Sequence, residues 1–283
     1  MVSDTWLLSG IPRSGTSMCC RLAGELADTV ALSEPMRRGA FVGVESPQEA
    51  CNRIEEFVRR ARTRIPVERR APSVQVDGRL DDDRVAGWGR TDRLRRTRGG
   101  QGEILIDKAL SGDFTLLIKH NALFAALLPE LASTVACLAL VRNPLAVLAS
   151  WQTVDLPIHR GRIPAGEQHD PALREALHGE DDVLRRQIMI LNWFFDRYRT
   201  HLKPQNILRY EDVVESGGRR LFDRLGHGDA PSAPLENRND NRAYAGTDVD
   251  ELLAALMREG GAWSPIYAVA DCERVADMIR SAR

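Results

Sequence analysis

The chain has 283 residues, of which 43% are hydrophobic, and this is enough for one large α/β domain with a sizeable core. Its formal net charge of -1 provides no overall attraction to nucleic acid or to an anionic membrane surface. The five cysteines form no CxxC pair and no Cys/His zinc pattern, and their odd number suits a reducing compartment. No apolar run approaches the ~20 residues that a membrane helix needs. We therefore expect a soluble, cytoplasmic protein with no membrane span and no nucleic-acid partner.

The chain opens with segments that predict a strand, a glycine loop, a helix and a second strand. TWLLSG (residues 5–10) has the apolar character of a short buried strand. Residues 16–27 place apolar or small side chains at helical spacing, so the loop GIPRSGTS (residues 10–17) should lead directly into a helix. TVALSEP is a second short extended segment, which Pro35 ends.

A capping box predicts the start of a second helix. Ser46 is placed as its N-cap, Pro47 as its first residue, and Glu49 as the residue that closes the box. We expect this helix to end near Arg64.

Residues 66–102 differ in composition from the rest of the chain. They are rich in Arg, Asp and Gly and poor in large apolar side chains, so we expect a surface insertion with a hairpin around Asp77-Gly78. A lid, an acceptor-binding element and a plain solvated insertion are all compatible with this composition.

Strands and helices alternate again after this insertion. EILID, FTLLIKH, VACLALV and QNILRY predict strands, and VACLALV is apolar throughout, as in a parallel sheet covered on both faces. The predicted helices are NALFAALLPELA, LAVLASWQ after Pro144, about Asp181 to His201, and the segment that starts with EDVVES. Residues 154–180 and LENRNDNRAYAG predict polar loops, the second of them before two C-terminal helices. The alternation predicts one doubly wound, mostly parallel α/β sheet in a single domain over residues 1–283, with ligands at the carboxyl ends of the strands.

The loop GIPRSGTS has the pattern of a phosphate-binding loop without its lysine. Gly10 and Gly15 have the spacing of G-x-x-x-x-G-K-[ST], and Ser17 stands where that motif ends. Thr16 occupies the lysine position, and the cation of the loop is Arg13. The backbone N–H groups and the helix dipole still favour an anion. Because the lysine and Mg²⁺ of the motif manage the high charge of the β- and γ-phosphates, this loop suits a less charged group such as a sulfuryl group. The alternative is a turn that binds no ligand.

Arg142 and Ser150 form a second candidate anion site. Arg142 follows the VACLALV strand, and Ser150 lies eight residues later, about two turns into the next helix, where it can face the same side. An arginine and a hydroxyl together can bind a phosphate, whereas Arg142 alone would equally suit an ordinary ion pair. Two anion sites at one sheet edge suggest a nucleotide that is phosphorylated at two positions.

These motifs resemble those of sulfotransferases that use 3′-phosphoadenosine 5′-phosphosulfate (PAPS). GIPRSGTS is similar to their 5′-phosphosulfate loop, LVRNPLAVLAS to their 3′-phosphate motif, and ILRYEDVV to the segment that usually follows, in the same order. The resemblance implies a P-loop-kinase-like α/β fold, PAPS as donor, no metal, and sulfuryl transfer to a hydroxyl or amine of a small-molecule or carbohydrate-like acceptor. The residues that it assigns to PAPS are Arg13, Ser14, Gly15, Thr16, Ser17, Arg142 and Ser150.

Two residues at strand ends are candidates for the base that takes the acceptor's proton. Glu34, in LSEP, resembles in its placement the catalytic glutamate of the carbohydrate and tyrosylprotein branches, and an ion pair with Arg37 or Arg38 is the alternative role. His120, in LLIKHN, resembles the histidine of the cytosolic branch, but strand alternation would turn it to the opposite face. We therefore favour Glu34 as base, and Arg13 and His120 are the other catalytic candidates.

Two features of the cytosolic branch are missing. Met18 stands where a tryptophan would stack on adenine, and the Arg-Lys-Gly loop is absent, with Arg238 and Arg242 as substitutes by position. A P-loop kinase for a nucleotide or small molecule and a non-catalytic nucleotide-binding module are the alternative functions. Thr16 and the lack of an Asp directly after VACLALV argue against the kinase.

Overall fold

A parallel sheet forms the centre of the molecule. The computed structural model describes residues 4–44, 46–82, 85–88 and 94–282. Five strands lie in the order β2-β7-β1-β8-β9, and every neighbouring pair is parallel. The described strands are β1 (Thr5–Gly10), β2 (Thr29–Ser33), β3 (Arg70–Gln75), β4 (Val85–Trp88), β5 (Arg95–Thr97), β6 (Gly100–Leu105), β7 (Thr115–Lys119), β8 (Ala136–Val141) and β9 (Ile207–Arg209).

Helices cover both faces of this sheet. The described α-helices are α1 (Thr16–Glu25), α2 (Pro47–Glu68), α3 (Asn121–Ala126), α4 (Leu128–Leu131), α5 (Pro144–Trp151), α6 (Pro164–His169), α7 (Pro171–His178), α8 (Val183–His201), α9 (Tyr210–Glu215), α10 (Arg219–Arg224), α11 (Val249–Glu259) and α12 (Val269–Ser281). Short 3₁₀ helices cover Arg38–Phe41, Pro157–Arg160, Pro204–Asn206 and Arg242–Tyr244. The predicted doubly wound α/β fold is confirmed.

Alternation along the central strands produces two apolar layers. Leu7 and Ile118 belong to a large cluster with α2, α3, α5, α8, α11 and α12 on one face. Leu8 and Leu117 belong to a smaller cluster with α1, α9 and α10 on the other face. Successive strand residues point to opposite faces, so strands that are apolar throughout are covered on both sides.

The parallel register brings several candidate residues to one edge of the sheet. Lys119, the last residue of β7, pairs with Leu8 of β1 and with Ser33 of β2. Gly10, the last residue of β1, pairs with Leu140 of β8. The segments that follow β1, β2, β7 and β8 therefore emerge side by side, as expected for the ligand-binding edge of such a sheet.

The predicted hairpin in the insertion is confirmed, and both ends of the insertion are structured. Val76 and Arg79 exchange two backbone hydrogen bonds of 3.0 Å around Asp77-Gly78, where both central residues have positive φ, as in a type I′ turn. Helix α2 continues past Arg64 to Glu68. Strand β3 then pairs antiparallel with β6. Residues 83–84 and 89–93 of the insertion lie outside the described residues.

The predicted polar loop at residues 154–180 is wrong, because it contains α6 and α7. Pro171 is the first residue of α7, and the carboxylate of Asp170 caps this helix by accepting from the amide of Leu173. The Asp-Pro pair is the sequence signal for this start.

Two predicted helices are each divided. NALFAALLPELA forms α3 and α4, which Leu127 separates. EDVVESGGRRLFDRLG forms α9 and α10, because Gly217 and Gly218 both adopt positive φ, which ends the first helix and starts the second.

Within the described residues, no helix combines the length and the apolar character that crossing a bilayer requires. All five cysteines are buried as free thiols.

Gly10 offers a test of how closely the loop packs on β8. A Cβ atom at this position would lie 2.3 Å from Cγ2 of Thr16 and 2.9 Å from the carbonyl oxygen of Leu140. Gly10→Ala should therefore lower the free energy of unfolding by about 1–3 kcal/mol, the usual cost of overpacking. Urea denaturation measures this effect. Gly112→Ala is the matched control, because nothing lies within 4 Å of its added Cβ, and equal stability of the two variants would contradict the described packing.

Candidate active site

A cavity of about 450 Å³ opens at the carboxyl edge of the sheet. The loop after β1, Glu34 after β2, His120 after β7 and Arg142 after β8 all contribute to its lining. Its size falls within the range of small-molecule sites in proteins. The cavity thus brings together the glycine loop, Arg142 and both candidate bases, whereas Ser150 is outside its described lining.

The glycine loop enters α1 in a conformation that exposes its helix N-terminus. Gly15 is the N-cap with φ of 93°, and no side chain caps this end of α1. A Cβ atom on Gly15 would lie 2.7 Å from the Tyr210 ring, so both backbone and space require glycine here. Gly15, Thr16 and Ser17 line the cavity. The first amides of α1 therefore form a site that favours an anion.

Ser14 has a different position from its neighbours in the loop. Its hydroxyl donates to the carbonyl of Leu140 at 3.0 Å, and its amide donates to the carbonyl of Ile11 at 2.9 Å. The Ser14 side chain is fully buried. The first bond fastens the loop to β8, and the second closes a turn within the loop, so Ser14 supports the shape of the loop.

The two candidate anion sites are hydrogen-bonded to each other, but only Arg142 of the second site lines the cavity, because Ser150 is fully buried. Nε of Arg13 donates to the hydroxyl of Ser150 at 3.3 Å. A terminal nitrogen of Arg142 donates to the backbone carbonyl of Arg13 at 2.9 Å. The predicted proximity of Arg142 and Ser150 to the loop edge is therefore observed, and Arg13 is the residue that connects them.

Arg142 is buried and makes further contacts with the segment that follows α10. Its Nε donates to the side-chain oxygen of Asn239 at 2.7 Å, and another nitrogen donates to the carbonyl of Arg238. The guanidinium carbon lies 4.7 Å from the centre of the Tyr210 ring, and Tyr244 OH lies 3.5 Å from a terminal nitrogen. Sequence reasoning did not identify Asn239 or Tyr244, which have no recognisable motif.

Tyr210 and Glu211 of the YED segment bind the residues that surround Arg142. Glu211 accepts from the amide of Asn143 and from the side-chain nitrogen of Asn239, both at 2.9 Å, and from the hydroxyl of Tyr267 at 2.7 Å. The hydroxyl of Tyr210 accepts from the amide of Arg238 at 3.0 Å. Glu211 thus connects the start of α5 to the residue that binds Arg142.

Arg238 and Arg242, the two positional substitutes, occupy different places. Arg238 lines the cavity, where its Nε lies 3.4 Å from a carboxylate oxygen of Glu236. Arg242 is exposed on the 3₁₀ helix before Ala245, outside the described lining. Of the two, Arg238 can reach a ligand in the cavity.

Glu34 lines the cavity at the end of β2 and forms an ion pair with Lys119. The Nζ of Lys119 lies 2.7 Å from Oε1 of Glu34, and the two side chains are 3% and 33% exposed. Both residues line the cavity, where Glu34 is partly exposed and the lysine side chain is almost fully buried. Sequence reasoning proposed Arg37 or Arg38 as the partner and did not identify Lys119. The side chain of Arg38 lies outside what the structure describes.

The backbone of Glu34 is held in a conformation that residues with a Cβ rarely adopt. Its φ is 47°, in the left-handed region. The amide of Glu34 donates to the carbonyl of Lys119 at 2.7 Å, and its carbonyl accepts from the side chain of Gln101 at 2.7 Å. The bonds at both peptide groups hold the backbone of Glu34 in this conformation.

His120 lines the same cavity, so the expectation that strand alternation turns it to the opposite face is wrong. Strand β7 ends at Lys119, and His120 is the N-cap of α3. Its Nε2 accepts from the amide of Met36 at 3.3 Å. Burial lowers the pKa of His120 from 6.5 to about 4. The ring is neutral at pH 7, and the nitrogen that could accept a proton is occupied.

Cationic groups outnumber anionic ones in the described lining of the cavity, which favours an anionic ligand. The anionic residues are Glu34, Asp82 and Glu236. The cationic residues are Arg13, Arg37, Lys119, Arg142, Arg162 and Arg238.

Comparisons with known proteins do not assign this chain to a family, and its described residues contain no candidate metal site. Scanning the chain against protein-family models gave no match, and the search of curated proteins found none that is similar. Among residues 4–44, 46–82, 85–88 and 94–282, no cluster of three or more His, Cys, Asp or Glu side chains could hold a metal ion.

The buried His120 should make stability depend on pH. Its pKa is lower in the folded state than in the unfolded chain, so the unfolded state binds more protons between pH 6.5 and about 4. The contribution of neutral His120 is complete above pH 6.5 and is lost as the pH falls towards about 4. Urea denaturation across this range should show a smaller loss for His120→Gln, whose amide oxygen can still accept from Met36. Equal slopes for the variant and the parent would contradict this role.

Proposed function

We propose that this protein is a sulfotransferase that moves a sulfuryl group from PAPS to a hydroxyl or amine of a small acceptor. The proposal depends on one observation: the lysine-free loop, Arg142 and Glu34 line one cavity, and Arg13 of the loop donates to the buried hydroxyl of Ser150. A nucleotide that carries anionic groups at two positions would use both anion sites at once. The excess of cationic side chains in the lining supports such a ligand.

The chain offers different groups to the two ends of the donor. The amides at the start of α1 and the hydroxyls of Thr16 and Ser17 would hold the 5′-phosphosulfate, because a helix N-terminus favours an anion. Ser150 and Arg142 would hold the 3′-phosphate. Arg142 now donates to protein oxygens and the buried Ser150 accepts from Arg13, so a phosphate oxygen would have to replace an acceptor of Arg142 and reach Ser150 in place of Arg13. Arg13 lies between these groups and could contact both ends through its planar guanidinium.

Transfer requires a base beside the acceptor hydroxyl. PAPS supplies the sulfur atom that the acceptor oxygen attacks, with the 5′-phosphate as leaving group. Glu34 would take the hydroxyl proton, the new S–O bond would form, and the bond between sulfur and the phosphate oxygen would break. The products are a sulfate ester, or a sulfamate from an amine, and adenosine 3′,5′-bisphosphate.

Glu34 suits the role of base better than His120. Its side chain is one-third exposed to the cavity, and the ion pair with Lys119 orients the carboxylate. His120 is buried, and its Nε2 already accepts from the amide of Met36, so this nitrogen is not available to an acceptor hydroxyl. Lys119 also brings a positive charge to the site, which matters because Thr16 replaces the lysine of the loop.

We further propose a cytoplasmic location, which the free thiols support.

The donor proposal predicts a specific nucleotide preference. Adenosine 3′,5′-bisphosphate should bind without Mg²⁺ and more tightly than adenosine 5′-monophosphate or ATP with Mg²⁺. Ser150→Ala should weaken bisphosphate binding by about 1.5–3 kcal/mol, the range for a hydrogen bond to a charged group, and leave monophosphate binding unchanged. Calorimetry measures both affinities.

Ser133→Ala is the matched control for this comparison, because Ser133 is exposed away from the cavity. Metal-dependent binding with a preference for ATP would favour a kinase and contradict the sulfotransferase. Equal losses for the two nucleotides would show that Ser150 does not contact the 3′-phosphate.

The base assignment predicts a selective loss of turnover. Glu34→Gln keeps an oxygen that can accept from Lys119, but it cannot take a proton at neutral pH. Turnover with labelled PAPS should fall about 10²–10⁴-fold, while bisphosphate affinity stays unchanged.

Glu236→Gln makes the same chemical change elsewhere in the cavity lining and should keep its turnover. A selective loss in His120→Gln, with Glu34→Gln still active, would move the base to His120. Nucleotide binding without transfer to any acceptor would indicate the non-catalytic module.

A further inference from the structure

One wall of the cavity is apolar, and two of its residues lie close in the sequence to the two candidate bases. Met36 follows Glu34 by two residues, and Leu123 follows His120 by three. The 3₁₀ helix at Pro157–Arg160 and the start of α6 complete this wall. The apolar wall, as we define it, consists of Met36, Leu123, Leu156, Ile158, Ile163 and Ala165.

The segment that carries much of the apolar wall satisfies its own polar groups away from the cavity. The backbone carbonyl of Ile158 accepts from the side chain of Gln187 at 3.0 Å. The amide of Ile163 donates to the carboxylate of Glu167 at 2.7 Å. Arg162 lines the cavity, but its guanidinium makes a two-pronged ion pair with the buried Glu167. These polar groups are therefore engaged within the protein.

A carbohydrate fits this wall poorly. Each sugar hydroxyl that leaves water needs a new hydrogen-bond partner, and aliphatic side chains provide none. A site that discriminates among polar substrates places donors and acceptors around them. For an alkyl or alicyclic body, by contrast, transfer from water to such a surface is favourable, because it buries apolar area.

We propose that the acceptor is an alcohol or amine with an apolar body, whose body lies on the apolar wall and whose reactive group points towards Glu34. This inference rests on the proposed sulfuryl transfer and names its acceptor class. It narrows the acceptors that the sequence left open, away from carbohydrates.

Direct binding tests the acceptor class without relying on turnover. Linear primary alcohols from butanol to decanol are titrated into the complex of the protein with adenosine 3′,5′-bisphosphate, and calorimetry records each affinity. Each added CH₂ should tighten binding about three- to four-fold until the cavity is filled, with a negative heat-capacity change. Ethylene-glycol monoethers of matched length, in which oxygen replaces some CH₂ groups, should bind more weakly, and methyl glucoside weakest.

Leu156→Asn separates the wall from the rest of the cavity. Leu156 is partly exposed in the lining and has no part in the proposed donor site or base. The variant should weaken alcohol binding about ten-fold or more, raise KM for the alcohols more than it lowers kcat, and leave bisphosphate affinity unchanged. Val67→Asn, on an exposed position of α2, is the matched control and should bind alcohols normally.

The outcomes distinguish the two proposals. Affinity that does not rise with chain length, or equal binding of alcohols and methyl glucoside, overturns the apolar acceptor even if sulfuryl transfer occurs. Alcohols that bind with the expected gain per CH₂ but are never sulfated would support the apolar site and overturn the proposed reaction.

Discussion

The buried guanidinium of Arg142 is the constraint on which the rest of the candidate site depends. A buried charge is costly unless its donors find acceptors, so the surrounding chain must bring oxygens to it. The glycine loop contributes the carbonyl of Arg13, and the segment after α10 contributes Asn239 and the carbonyl of Arg238. One side chain at the end of β8 thus determines where two distant segments lie over the sheet edge.

Support for this cation reaches further into the fold. Glu211 binds Asn239 and the amide of Asn143 at the start of α5. The ring of Tyr210 packs against Arg142 and occupies the space that a side chain on Gly15 would need. Because these groups share partners, the loop, α5 and α9 form one hydrogen-bonded unit. A change in any of them would alter the position of the others, as contacts within one network are not additive.

Two residues of the site hold unfavourable backbone conformations. Arg13 and Glu34 both have positive φ, which costs a residue with a Cβ roughly 1–2 kcal/mol. Both conformations are fixed by neighbours. The carbonyls of the loop accept from the side chains of Trp151 and Arg142, and Glu34 is held by Lys119 and Gln101. Such strain persists where surrounding structure determines it, often at functional sites, and it directs these two side chains into the cavity.

The sequence by itself determined the parallel α/β sheet, because alternation of apolar strands and helices depends on local periodicity and turn residues. It also determined that the segments containing Arg13, Glu34, His120 and Arg142 would meet, since parallel strands present their carboxyl ends at one edge. Only the tertiary structure decided that Glu34 pairs with Lys119, that His120 is buried with Nε2 on Met36, and that Asn239 binds Arg142. These contacts join residues 84 or more positions apart in the sequence. Their formation depends on packing and burial, which no short sequence pattern encodes.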